Sequence, residues 1–170
     1  MADMLLYKKL IAAMPFHDKA CGFICGKNEL MNWPKHDLFQ LYHDTKPLYK
    51  EMSHFIPEIN NEYIKQSVTI GAANLYHAIS HSYIYGNNNA LSLMKLLKGT
   101  FYILQAKHRL ETGNYVKSRT ELSTKLSGLD KEIIDLSNNR KMLACKSNIE
   151  IDQCYSILIN WCQNILHTYQ

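Results

Sequence analysis

The chain has 170 residues, 46% hydrophobic and 20% charged, enough for one compact domain, or one domain and part of another. Such a chain buries on the order of 70% of its unfolded surface without a disulfide. Acids and lysines balance over residues 1–58, so the formal excess of +4 falls on 59–170. There the cations are scattered along several helical patterns, which argues against the dense basic stripe of a nucleic-acid binder. No window approaches the roughly 18 apolar residues of a membrane-spanning helix. The opening MADMLLYKKLIAAM, with Asp3 and paired lysines, does not resemble a signal peptide. Five cysteines, Cys21, Cys25, Cys145, Cys154 and Cys162, are odd in number and lack a CxxC pair. That argues against both a disulfide framework and a zinc site, leaving reduced, largely buried thiols of a cytoplasmic protein as the expectation.

In chain order, residues 3–14 carry a short helical pattern stopped by Met14-Pro15. Ala20–Cys25, an apolar run flanked by glycines, reads as a buried strand. Asn28–Trp33 reads as a helical turn ended by Pro34. Leu38–His43 and Pro47–Tyr49 read as two short strands around the turn Asp44-Thr45-Lys46. Residues 1–57 are therefore expected to form a small α+β segment whose two or three strands leave open edges.

From residue 58 the pattern is helical. Asn60 or Asn61 caps a helix running to Tyr85 and closing at Gly86, with Ile64, Val68, Leu75, Ile79 and Tyr83 on its apolar face. Asn87-Asn88-Asn89 reads as a loop. Leu93, Met94, Leu96, Leu97, Phe101, Leu104 and Leu110 recur at steps of three and four, which predicts a central helix of about 24 residues. Gly113, after Glu111-Thr112, supplies the left-handed residue that closes it. Ser118-Arg119-Thr120-Glu121 and Ser147-Asn148-Ile149-Glu150 are capping boxes, opening helices at 118–127 and from 147 to about His167. Between them Leu129 to about Leu143 reads as one more helix. The expected fold is mainly α: a four- or five-helix up-down bundle over 58–170, preceded by the small α+β segment.

Three features invite chemistry. Asn74, His77 and His81 project from one face of the first long helix, and two histidines at i and i+4 have the spacing of a helical metal pair. No HExxH or other third ligand accompanies them, so a polar seam is the simpler reading and no metal is expected. Gly71 and Gly99 stand inside long helices, where each costs roughly 1 kcal/mol relative to alanine; close helix crossing or a ligand pocket explains such a placement. Lys107, His108, Arg109, Lys117 and Arg119 offer a local cationic patch or simple dipole compensation. The acidic pairs Asp130/Glu132 and Glu150/Asp152 lie in first helical turns, where the dipole alone favours acids. GxxxxGK[ST], GxGxxG and GxSxG are absent from the sequence.

Leu96-Leu97-Lys98 through Leu104-Gln105-Ala106-Lys107, then Glu111-Thr112-Gly113-Asn114-Tyr115 and Thr120-Glu121-Leu122, resemble the helical C-terminal domain of bacterial nucleotidyltransferases of the polymerase-β superfamily. The aminoglycoside nucleotidyltransferases are its best-known members. Cys21–Cys25, Lys27–Leu30, Trp33-Pro34 and Asp44–Tyr49 resemble the last strands of the catalytic domain of such proteins. The family signature, a Gly-Ser turn followed by Asp-x-Asp on a strand that holds two Mg²⁺ ions around a nucleoside triphosphate, has no match here. The resemblance implies that Mg²⁺ and nucleotide belong only to a complete enzyme. No cofactor is expected for this chain alone, nor nucleotidyl transfer by it. In the family the helical domain lines the cleft and binds the acceptor. By that analogy the candidate substrate-binding residues are Glu62, Asn74, His77, His81 and Tyr115, with no catalytic residue among them.

A different class of function also fits: an interaction module, pairing with a separate nucleotidyltransferase subunit or with a second copy through the N-terminal strand edge. A HEPN-type ribonuclease bundle is disfavoured, because Arg109, Arg119 and Arg140 have no histidine four to six residues later.

Overall fold

The computed structural model describes residues 1–86 and 90–169, and the expected loop at 87–89 lies outside them. The chain divides into two compact units, Met1–Asn32 and Trp33–Gln170.

The first unit holds helix α1 (Ala2–Ala12), a 3-10 turn at His17–Lys19 and helix α2 (Lys27–Asn32), and none of these elements buries a residue. Ala20–Cys25, expected as a buried strand, has no regular structure and is exposed apart from the half-buried Cys25.

In the second unit the expected strand Leu38–His43 is instead the body of helix α3 (Lys35–Asp44). Pro34 stands at its N-cap, where its missing N–H breaks no helical bond, and Asp37 in its first turn, where the dipole favours an acid. Leu38 and Phe39 are its buried face. Pro47–Tyr49 is irregular, and no strand occurs among the described residues. The expected α+β character is thus corrected to all-α, and the strand edge proposed for partners is not formed. The reason is mutual dependence: a strand's backbone groups need a ladder, and the segment that would have supplied one is helical.

After a 3-10 turn at Met52–His54, α4 (Asn61–Tyr85) begins where the Asn60 side chain accepts from Tyr63 N, and it closes at Gly86. Next comes α5 (Ala90–Thr112), ended by Gly113 at φ +78°. Helix α6 (Arg119–Lys125) starts from Ser118, whose side chain accepts from Glu121 N. Helix α7 (Gly128–Asn138) stops short of the expected Leu143 and passes into a 3-10 turn, Arg140–Cys145. Helix α8 (Asn148–Thr168) opens with both halves of the Ser147/Glu150 capping box.

Helix α4 packs on α5, α8 and α3, while α5 also packs on α7. The core follows the predicted period: Ile64, Val68, Ala72, Leu75 and Ile79 of α4 meet Leu93, Leu97, Phe101 and Leu104 of α5 and Tyr155, Leu158, Trp161 and Ile165 of α8. Each large side chain so buried contributes about 1.5–3 kcal/mol. The two largest buried rings also satisfy their polar atoms, Tyr155 with Ser82 Oγ at 2.9 Å and Trp161 Nε1 donating to Asp130 Oδ1 at 2.7 Å. Among the described residues no helix is long and apolar enough to cross a membrane.

Candidate functional site

Helices α4 and α5 cross at two interior glycines that do opposite things. A Cβ at Gly71 would stand 3.0 Å from Ile103 Cγ1, so this glycine permits close approach of the helices. A Cβ at Gly99 would meet nothing within 4 Å, because Gly99 faces open space. That space is a cleft of about 400 Å³ between α3, α4 and α5, lined by His36, Asp37, Gln40, Ser67, Ile70, Gly71, Asn74, Leu75, Gly99, Tyr102 and Ile103. Gln40 Nε2 donates to the Tyr102 carbonyl at 3.1 Å and ties α3 across the cleft to α5. His36 Nε2 lies 3.4 Å from Asp37 Oδ1. The lining therefore has an apolar floor, Leu75 and Ile103, beneath a rim of hydroxyl, carboxamide, imidazole and carboxylate groups. Such a rim hydrogen-bonds a polar ligand and offers one anionic contact.

Of the expected site residues, only Asn74 reaches this cleft. His77 and His81 are exposed on α4 with ring centroids 6.2 Å apart, and His81 continues to Tyr85 at 5.2 Å. Glu62 is exposed in the first turn of α4, about 18 Å along the axis from Asn74 at 1.5 Å per residue. His36, Gln40, Tyr102 and Gly99 complete the cleft. Gly99 was legible as a helix-interior glycine, but reading α3 as a strand hid His36 and Gln40.

Tyr115 belongs to a different place. Its ring stacks on His43 at 4.4 Å and 17° and meets Phe39 edge-on at 5.5 Å, while its hydroxyl donates to Asp44 Oδ1 at 2.9 Å. Burial, and then the Asp44 carboxylate, push the phenol pKa up, so it stays a neutral donor. Burial foremost, then the Arg109 charge, lowers the His43 pKa. This cluster fastens α3 to the turn after α5, a structural task.

The expected cationic patch is dispersed. Lys107 Nζ contacts Asp130 Oδ2 at 2.6 Å and Glu111 Oε1 at 2.8 Å. His108 is buried, and Arg109 donates to the Gly113 carbonyl. Arg119 lies over the Phe101 ring at 4.4 Å and donates to Ser137 Oγ at 2.6 Å. Among the described residues no group of three or more His, Cys, Asp or Glu side chains that could hold a metal ion occurs. All five cysteines are free thiols; Cys154 and Cys162 are buried and the other three are not, so the thiols are less buried than expected.

No protein-family model matches the chain, and neither a curated protein nor a solved structure does.

Proposed function

We propose that the helical bundle is the acceptor-binding domain of a nucleotidyltransferase-like protein and does not transfer a nucleotide by itself. The cleft between α3, α4 and α5 carries this reading. Its volume of about 400 Å³ falls within the roughly 300–1,000 Å³ of small-molecule sites, and Asn74 lies on its wall. Asp37, Gln40, Ser67 and Asn74 suit the hydroxyl and amino groups of a polar acceptor such as an aminoglycoside. The resemblance of the α5–α6 stretch to that family's helical domain supports the same reading. Mg²⁺ and nucleoside triphosphate would belong to a complete enzyme with metal-binding carboxylates. Five thiols without a disulfide fit a reducing compartment, the cytoplasm.

The test is a thermal-shift panel of aminoglycosides and Mg²⁺-ATP. An acceptor that binds the folded state raises Tm in proportion to the logarithm of its concentration, while Mg²⁺-ATP leaves it unchanged. Stabilisation by Mg²⁺-ATP with none by any acceptor would overturn the assignment.

A second reading is favoured by α1, where Met4, Leu5, Leu6, Tyr7 and Leu10 are all exposed. Such a surface suits an interaction module that pairs with a nucleotidyltransferase subunit or a second copy. Light scattering across a concentration series distinguishes self-association from a monomer, and L6E/L10E should abolish any dimer.

A further inference from the structure

His77 and His81 are the chain's only two histidines four residues apart. Both are exposed, in the C-terminal half of the 25-residue helix α4, and neither side chain has a hydrogen-bond partner among the described residues. We propose that they form a two-imidazole chelate for a borderline divalent ion of the Ni²⁺, Cu²⁺ or Zn²⁺ type.

The geometry carries the proposal. Side chains at i and i+4 lie one above the other on a helix, and the backbone of α4 fixes their Cβ atoms at that spacing. The ring centroids stand 6.2 Å apart, inclined by 51°. Two imidazoles that share a metal at 2.0–2.1 Å from each nitrogen have centroids about 5 Å apart at tetrahedral to square angles. Closing that difference of about 1 Å takes only rotation about χ1 and χ2 of two solvent-exposed side chains. Imidazole is the preferred ligand of these ions, and the rigid helix removes most of the cost of bringing the pair together. Among the described residues no third His, Cys, Asp or Glu joins the pair, so the other coordination positions fall to water or an outside donor. The site is therefore an open one, with weaker affinity than a closed four-ligand centre. It lies outside the cleft lining, and the proposal stands whether or not the acceptor reading does.

The experiment is calorimetric titration of the full chain with NiCl2 at pH 7.5 under a non-thiol reductant. Wild-type protein should bind one Ni²⁺ at this site. H77Q and H81Q should each weaken it about tenfold or more, the scale on which even outer-shell partners of a metal act. Adding Y85H to H77Q re-creates the spacing with His81 one turn further on, where Tyr85 is 77% exposed, and should restore binding. The proposal fails if wild-type protein binds no Ni²⁺, if H77Q/H81Q binds as wild type does, or if Y85H restores nothing. Melting without metal checks that the variants fold, as both side chains are exposed.

Discussion

Gly71 of α4 approaches Ile103 of α5 so closely that a methyl group on the glycine would stand 3.0 Å from Ile103 Cγ1, whereas Gly99 on the facing helix has open space beside it. The same helix-breaking residue thus serves contact at one position and vacancy at the other. Gly99→Ala should stabilise the protein by about 1 kcal/mol through helix propensity alone. Gly71→Ala should gain measurably less, because the buried Ile103 must shift. Urea denaturation of the two variants checks this; equal gains would contradict the packing described.

Asp130 ties three helices, taking Trp161 Nε1 at 2.7 Å on one oxygen and Lys107 Nζ at 2.6 Å on the other. Asp130→Ala strands the Trp161 Nε1 donor and leaves Lys107 only its Glu111 partner, and should cost about 2 kcal/mol. Burial opposes the charges on Lys107 and Glu111, but their mutual hydrogen bond and those to Asp130 and Tyr169 prevail, raising Lys107 above 10.5 and lowering Glu111 below 4.5. The Glu111 contribution is present above pH 4.5 and lost as pH falls through its depressed value. The Lys107 contribution is present below pH 10.5 and lost above. Denaturation midpoints of Asp130→Ala and wild type at pH 7 give the effect directly.

His43 and His108 both have pKa values lowered from 6.5, chiefly by burial and secondly by the Arg109 and Lys125 charges respectively. The unfolded chain therefore binds more protons below pH 6.5, and stability should fall as pH drops from there. His43→Phe keeps a ring on Tyr115 without the titration. Its midpoint should decline less between pH 7 and 5 than that of wild type; identical declines would remove His43 from the account.

Tyr115 has a structural task here, so its substitutions should register in stability and not in ligand binding. Tyr115→Phe loses one exposed hydrogen bond to Asp44, about 0.5–1 kcal/mol. Tyr115→Ala also removes the ring packed against Phe39 and His43, about 2 kcal/mol. Neither should change the Tm increment produced by an acceptor, and a lost increment in Tyr115→Phe would return this residue to the binding site.

The bundle was legible where several local signals agreed. α4 had Asn60 at one end and Gly86 at the other with apolar steps of three and four between, and α5 had Gly113 in the left-handed region. Ser118 and Ser147 marked two further starts correctly. The opening third was misread because Leu38, Phe39, Tyr42 and His43 fit either period over so short a span. Pro34 at the N-cap and Asp37 in the first turn carried the deciding information. At the site, the sequence marked Gly71 and Gly99 alike as a close crossing or a pocket; which glycine does which, and which side chains line the cleft, depends on where α3 lies against α4 and α5, a long-range relation that local periodicity does not encode. The stop of α7 at Asn138 was likewise invisible, since the apolar pattern continues through Leu143 into the 3-10 turn.

The central claim is that the Gly99 opening receives an acceptor, and calorimetric titration of the most stabilising aminoglycoside into wild type and Gly99→Leu tests it most directly. Leucine carries its side chain into the opening, meets no neighbour at its Cβ and favours the helix, so the variant should melt at least as high as wild type. The account predicts saturable binding to wild type and its loss in this more stable variant. Equal affinity in both proteins would contradict it.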